Sequence, residues 1–546
     1  MAEQKRLKRQ NFIAKNKLRA VAGIVMFAAV LLKMIFLYKK IENTGTGFYL
    51  TAYTFVLIIA LVLSLSLREV VKKAVSYRKS RNQYKNAVKI MKTGSLMGLV
   101  LGLVLFLFFM LLAGRMTNGA FHMGAYGTFT MIFAAAAFPF MFVSAAILGC
   151  FDGFDFDMPD GAAKIIFSIS DLLLSIVLVV VACGIGEKHG NLLHDTNVVF
   201  AFGSAGAAAG FCGACFMTTG WLLALFQAFR KKMRGKIAED TSRGQESLGE
   251  QVIAILSASG ESFTRYVIWY GTLLVNQLLF FRFFRGLGAE SGSVYQSVPV
   301  FGDYLKEMIW YILPLILAMM LGDFTSNSLE KVMQKDDLYH GGMRIVMGMK
   351  QYLCFVLPII CVIGVVHGAL QETVFMGESH AILLTVSYAL FGFAYLEAGM
   401  LKGAGKEWLG MGCGLAAFVV QTVGAVFLLK ECHDIVPVIY CNLIFSAVLF
   451  CGCSVCLFRF CVYKKNLIRH LVMPFAAVFA AVIAAVLCMF LKAAGNILAV
   501  MVALLAAFAV HMITLVVTGC IKEGEFHEFP QGNLLAALGR LMGIYS

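Results

Sequence analysis

Apolar residues along this chain fall in long blocks separated by short polar stretches, and block length decides the element type. A helix crossing hydrocarbon needs about twenty apolar residues. By that measure the pattern predicts spans over 18–41, 48–67, 94–113, 125–150, 165–184, 197–226, 252–281, 300–322, 343–368, 379–400, 407–429, 434–460, 467–491 and 495–520. The unbroken run 100–112 is typical of them. Such runs differ from the ten-residue alternation of membrane β-barrel strands. A lipid-facing backbone must satisfy its own hydrogen bonds, so each block reads as a helix.

The polar stretches sort by charge. Basic clusters lie at 5–19, 68–92, 230–243 and 459–469. With the N-terminus inside, the inner segments carry roughly 35 Lys/Arg and the outer ones roughly 9, as the positive-inside rule requires. An even span count then places both termini in the cytoplasm, and the expected location is a bacterial cytoplasmic membrane. The net charge of +15 is accounted for by topology and contact with anionic lipids, and nucleic acid is not an expected partner. Lys5, Arg6, Lys8, Arg9, Lys15, Lys17 and Arg19 lead into a full-length span, not into the short apolar region of a cleaved signal.

Composition excludes several classes. The 546 residues are 60% hydrophobic and 14% charged, against about 25% charged in soluble domains. The longest polar stretches, 68–93 and 227–251, are too short for a catalytic domain, so an enzyme is not expected. No G-x-x-x-x-G-K-[ST] occurs, which speaks against direct use of ATP. Residues 68–92 read as an amphipathic helix along the inner headgroup layer, with Val70, Val71, Ala74, Val75, Ala87 and Val88 set against Lys72, Lys73, Arg78, Lys79, Arg81 and Lys85. Most of the 15 cysteines lie in predicted spans. Cys451, Cys453, Cys456 and Cys461 have a spacing faintly like a zinc site but no His at ligand spacing, so free thiols, no metal and no cofactor are expected.

An internal repeat is visible. Gly149-Cys-Phe-Asp-Gly153 ends the fourth span and Gly399-Met-Leu-Lys-Gly403 the tenth, at an offset of 250. A lone G-x-x-x-G serves ordinary helix packing, and recurrence in register is what gives it weight. The fold class expected is all-α integral membrane with about fourteen transmembrane helices: two six-helix bundles related by a parallel repeat, plus two C-terminal helices. The corresponding division is a bundle over 1–226, a cytoplasmic linker over 227–251, a bundle over 252–460, and two extra helices with a short tail over 461–546.

Gly45-Thr-Gly-Phe-Tyr49-Leu-Thr-Ala-Tyr53 looks like the G-x-G-x-Y-x-x-A-Y segment of polysaccharide flippases. Tyr84-Lys-Asn-Ala87 is similar to their basic cytoplasmic helix, and Leu148-Gly-Cys-Phe-Asp-Gly153 with Met158-Pro159 to their loop after span four. The chain thus resembles the multidrug/oligosaccharidyl-lipid/polysaccharide exporter superfamily, in its stage V sporulation protein B-like branch. The resemblance implies two bundles facing a central cavity, alternating access, and a lipid-linked saccharide whose headgroup crosses while its tail stays in the bilayer. Asp152 and Lys402 stand where that family often has Gln, and Leu67-Arg68-Glu69 replaces its usual Pro-containing end of span two.

Ionisable residues inside spans are costly and often functional. Glu261 and Arg265 share one helix face at i,i+4. They are either a self-neutralising pair or a cavity site where Arg265 meets phosphate oxygens. Lys33 either snorkels or faces the cavity. Asp303, Lys306 and Glu307 read as an interfacial cluster or an outer gate, and Asn276 as a packing or path-lining residue. Lys350 is near enough to the inner face to snorkel. Asp171 and Glu397 are lone acids and candidate sites for a coupling Na+ or H+. His367 and His511 read first as packing residues. The acidic run Asp152, Asp155, Asp157 and Asp160 lacks calcium-loop register and is expected to pair with a basic neighbour.

The first function expected is a flippase for a lipid-linked oligosaccharide or other cell-envelope precursor, using Lys33 and Arg265 on the anionic headgroup. The alternative is a multidrug or organic-cation antiporter, which would want an acidic, aromatic-lined site. A structural role in an envelope complex is a further class. Lys33 and Arg265 facing one shared space would favour the flippase, and dominance of Asp171 or Glu397 the antiporter.

Overall fold

A computed structural model describes residues 12–156, 158–238, 240, 246–284, 296–334, 337–370, 380–430, 434–460, 470, 472–490 and 496–544. The elements there are helical: α1 (Lys17–Ser80), α2 (Tyr84–Arg115), α3 (Thr128–Ala135), α4 (Phe138–Gly153), α5 (Met158–Leu193), α6 (Asn197–Lys232), α7 (Leu248–Phe283), α8 (Ser297–Ile309), α9 (Ile312–Met333), α10 (Leu338–Gln351), α11 (Leu357–Leu370), α12 (Ala381–Gly403), α13 (Glu407–Leu428), α14 (Val436–Phe460), α15 (Met473–Phe490), α16 (Asn496–Val517) and α17 (Gly532–Leu541). Among the described residues, eleven helices are long and apolar enough to cross a membrane. The all-α membrane fold read from the apolar blocks is the one observed.

Several predicted spans differ in detail. α1 holds 64 residues, roughly 96 Å if straight, about three times the hydrocarbon thickness. It breaks at Glu42, whose φ of 55° and ψ of −168° are not helical, so one of the eleven is two spans in sequence. The predicted span over 252–281 is α7, which is long enough, but Glu261, Arg265 and its many Ser and Thr residues keep it outside the eleven. The span over 300–322 is two helices, α8 and α9, meeting at Trp310–Tyr311. The span over 125–150 is also divided, because Pro139 in the first turn of α4 has no N–H to carry a helix through from α3.

The single amphipathic helix expected over 68–92 is not found. α1 ends at Ser80 and α2 begins at Tyr84. Asn82 takes φ 57° and Gln83 N donates back to Arg78 O at 2.9 Å. Asn tolerates this left-handed geometry, which stops the helix.

By internal contacts the chain forms two units. The first comprises 21–306 and 422–438; the second comprises residues up to 20, 307–421 and 439 onward. The two G-x-x-x-G segments perform the same task, one in each unit. In the first unit a Cβ on Gly149 would lie 2.4 Å from Arg68 O, and one on Gly153 2.6 Å from Val75 Cβ, both on α1. In the second, a Cβ on Gly399 would lie 3.1 Å from Gly322 O and one on Gly403 2.5 Å from Ser326 O, both on α9. Hydrocarbon supplies no hydrophobic drive for helix association, so close backbone approach at small residues carries the packing. Gly403→Val is expected to lower stability in detergent by about 1–3 kcal/mol. Gly412→Ala, at a position open to space, is expected to leave the melting temperature unchanged. Equal behaviour of the two would contradict this account of the packing.

In the second unit a π-helical turn at Tyr352–Val356 follows α10 and makes the Cys354 carbonyl available to outside donors. His511 Nε2 donates to it at 2.9 Å and Gln531 Nε2 at 3.1 Å. Lys350 does not snorkel: it is buried and paired with Glu525. Gln351 Nε2 adds a bond to Glu528 O at 2.8 Å, so residues 522–531 are held against α10.

Candidate functional site

The first unit contains a buried ion pair made possible by the break in α1. Lys33 precedes the break and Tyr49 follows it, 16 residues later. On a straight helix they would be about 24 Å apart. Instead Lys33 Nζ donates to Tyr49 OH at 2.8 Å and to Asp171 Oδ1, from α5, at 2.7 Å. Lys33 is 1% exposed and Asp171 8%. Ser175 Oγ lies 3.3 Å from the same carboxylate oxygen. Tyr49 stacks on Tyr53 with centroids 5.3 Å apart, and Tyr53 meets Phe211 of α6 edge-on at 4.9 Å. The result is a neutralised charge pair walled by aromatic rings. Lys33 is not snorkelling, and Asp171 is not a lone acid.

Arg265 is held from two sides. Its guanidinium donates to Glu69 of α1 at 2.9 and 3.1 Å and to Glu261 at 3.1 Å. Lys73 joins at 3.4 Å from Glu69 and 3.7 Å from Glu261. The i,i+4 pairing read from the sequence is present, but the Glu69 contact is the more sheltered, its carboxylate 11% exposed against 53% for Glu261, and exposed pairs contribute less. Asn276 is buried on α7, and its neighbour Gln277 donates to Thr51 O at 2.9 Å.

The charged group in the C-terminal half of α8 divides. Lys306 Nζ donates to Asn43 Oδ1, pairs with Asp303, and lies 4.8 Å over the Tyr38 ring. Close approach of α8 to the Gly45–Tyr53 segment permits this: a Cβ on Gly47 would meet Val298 O at 2.7 Å, and one on Gly302 would meet Gly47 Cα at 2.7 Å. Glu307 turns elsewhere, to His380, whose backbone N donates to Oε2 at 3.0 Å and whose Nδ1 lies 3.1 Å from Oε1.

Glu397 of α12, in the second unit, is 1% exposed. Ser454 Oγ donates to its Oε1 at 2.6 Å, while Oε2 has no hydrogen-bond partner among the described residues. No Lys or Arg pairs with it there. The acidic run after α4 is paired instead: Arg68 reaches Asp152 and Asp160, both at 2.7 Å, Lys164 reaches Asp160 at 3.1 Å, and Lys79 reaches Asp155. Asp157 and Cys461 lie outside the described residues. Cys413 and Cys456 bring their sulfurs to 3.7 Å, and Cys451 is exposed. Among the described residues no cluster of three metal-capable side chains occurs.

Sequence reasoning did not single out Glu69, Ser454 or His380. Each acts through a helix distant in sequence, and only the unusual Arg68-Glu69 end of the second span drew attention to one of them.

No known family profile matches the chain, and no curated protein is similar to it in sequence. Solved structures do match. An inward-facing multidrug resistance MATE family transporter of the MOP superfamily is similar with a TM-score of 0.59 at 11% identity, over 84% of this chain and 100% of that one. An outward-facing structure of a multidrug resistance MATE family transporter of the MOP superfamily gives 0.55 at 12%, over 83% and 98%. A MOP superfamily transporter from Pyrococcus furiosus Vc1, described as having a binding pocket of reverse polarity that suggests a different function, gives 0.55 at 12%, over 84% and 98%. At these identities the likeness establishes the fold: the chain has the helical fold of MOP superfamily transporters.

Proposed function

We propose that this chain is a secondary multidrug transporter that exchanges organic cations for an inward-moving proton or Na+ across a cytoplasmic membrane. The sign of its buried charge carries the reading. The buried lysines each have an acid, Lys33 with Asp171, Lys306 with Asp303 and Lys350 with Glu525, and the partly buried Arg68 has Asp152 and Asp160. Glu397 has no Lys or Arg partner among the described residues. A buried carboxylate without a countercharge is costly, and a bound cation removes that cost. The buried interior therefore favours positive guests.

The Lys33–Asp171 pair supplies the exchange element. A proton or Na+ on Asp171 releases Lys33, and its departure restores the pair. Tyr49 and Tyr53 offer π faces suited to an organic cation. Cargo and coupling ion thus compete for the same negative charge.

A lipid-linked saccharide flippase of the same fold is the second reading, favoured by the Gly45–Tyr53 segment. It would need cations free to hold phosphate oxygens, whereas Lys33 and Arg265 are both ion-paired. Reconstituted vesicles loaded with an organic-cation dye test the choice. Gradient-driven dye efflux is expected, and transfer of a lipid-linked saccharide between leaflets without dye efflux would reverse the assignment. Glu397→Gln is expected to slow gradient-driven exchange about tenfold or more, as loss of one buried charge-assisted contact of about 1.5–3 kcal/mol would. Unchanged exchange would remove Glu397 from the path.

A further inference from the structure

A second group of titratable side chains lies in the second unit, apart from Lys33–Asp171 and from Glu397. Glu307, buried at the end of α8, faces two imidazoles. His380, at the start of α12, is within hydrogen-bond distance of both its oxygens. His367, from α11, places Nε2 3.7 Å from Oε2, too far for a hydrogen bond. His367 is fully buried and that nitrogen has no other partner. Its Nδ1 lies 3.2 Å from Tyr311 OH, which also reaches Thr385 Oγ1 at 2.8 Å and Ala381 O at 3.0 Å.

From this geometry we infer that Glu307, His367 and His380 form a proton-binding site independent of the proposed exchange pair. The arrangement has one negative charge and two neutral bases. A proton on either imidazole makes a neutral ion pair with Glu307, while protons on both leave a surplus positive charge. The site therefore takes one proton and holds it in either of two places. His380 is the accessible one, with a side chain 16% exposed against 0% for His367. A proton arriving on His380 passes to His367 through the Glu307 carboxylate, and the polar nitrogen of His367 that lacks a partner then donates to that carboxylate. Among the described residues, the groups facing the site from the packed elements are Glu307 of α8, Tyr311 in the α8–α9 turn, Cys361 and His367 of α11, His380 at the cap of α12, and Thr385 and Tyr388 within it. Imidazole is the side chain whose ordinary range lies nearest neutrality.

Trp310 supplies a direct readout, because its ring stacks on His367 with centroids 5.8 Å apart and planes at 22°. A protonated imidazole stacked on an indole quenches its fluorescence. The experiment uses the full chain with Trp221, Trp269 and Trp408 replaced by Phe, titrated from about pH 9 to about pH 5, the range of an imidazole. Quenching of Trp310 on acidification is expected. Glu307→Gln should move the midpoint down by about 1–3 pH units, the effect of removing a facing opposite charge. His380→Gln should lower the midpoint and deepen the quench, because a proton shared between two bases is held more tightly than by either alone, and none of it is then held away from Trp310. His367→Gln should abolish the quench, a comparison that survives if Glu307→Gln misfolds. Asp171→Asn should leave the titration intact, so failure here and failure of the transport reading are distinguishable. Emission that does not change with acid, or that titrates alike with His367 and with Gln there, overturns the site.

Discussion

Asp171→Asn is expected to abolish gradient-driven exchange and to lower the stability of the protein by about 3–5 kcal/mol, the usual cost of leaving one partner of a buried ion pair uncompensated. Lys33 would remain inside the first unit facing only neutral acceptors, the Tyr49 hydroxyl and the new amide oxygen, and neither neutralises an ammonium. Stability and exchange separate in a second variant. Lys33→Met combined with Asp171→Leu removes both charges and keeps the volume, and such replacements are often neutral or stabilising. The double variant should therefore melt near the parent temperature and still fail to exchange. Thermal unfolding in detergent and efflux from vesicles measure the two quantities. Exchange that survives in the double variant would leave the pair with a purely structural role.

Arg68→Met is the other large expected effect. Arg68 lies at the end of α1 between Asp152 of α4 and Asp160 of α5, 2.7 Å from each. Removing it takes away the guanidinium that neutralises both carboxylates, while the half-exposed Lys164, 3.1 Å from Asp160, reaches only one of them. A loss of about 3–5 kcal/mol is expected, as for other broken buried pairs. Asp160→Asn in the same background should recover part of it by removing one of the repelling charges. No recovery would mean that Arg68 acts by packing alone. Gly149 bears on this point, since its missing side chain lets α4 come within contact of the Arg68 backbone.

The elements of the fold were legible because hydrocarbon imposes a single demand, unbroken apolar length, and fourteen such runs stand out. The interruptions were less so. Pro139 is a readable cause of the α3–α4 break, but Glu42 carries no signal for a left-handed φ, and nothing in Trp310–Tyr311 marks a division between α8 and α9. The end of the supposed amphipathic helix at Asn82 was obscured by a charge pattern that continues across it.

The site was legible by residue type and not by partner. Lys33, Asp171, Arg265, Glu307 and Glu397 stand out as ionisable groups in apolar surroundings. Their pairing depends on contacts across helices 138 residues apart for Lys33–Asp171 and 196 for Arg265–Glu69, for which no periodicity exists. Only Glu261–Arg265, four residues apart on one helix, was readable as a pair, and it is the weaker half of what Arg265 does. Lys33 and Arg265, each read with an anionic headgroup as one of two alternatives, are ion-paired, with Asp171 and with Glu69 and Glu261. His367 was read as packing because its approach to Glu307 and His380 joins three separate segments.

Binding to the purified protein tests the sign of the buried interior most directly. Radiolabelled tetraphenylphosphonium and a short-chain polyprenyl diphosphate would be offered in parallel to the parent protein and to Asp171→Asn. Saturable binding of the phosphonium that acid or the substitution weakens, with no saturable binding of the diphosphate, is the predicted result. Saturable binding of the diphosphate alone would contradict it and return the chain to an anionic cargo.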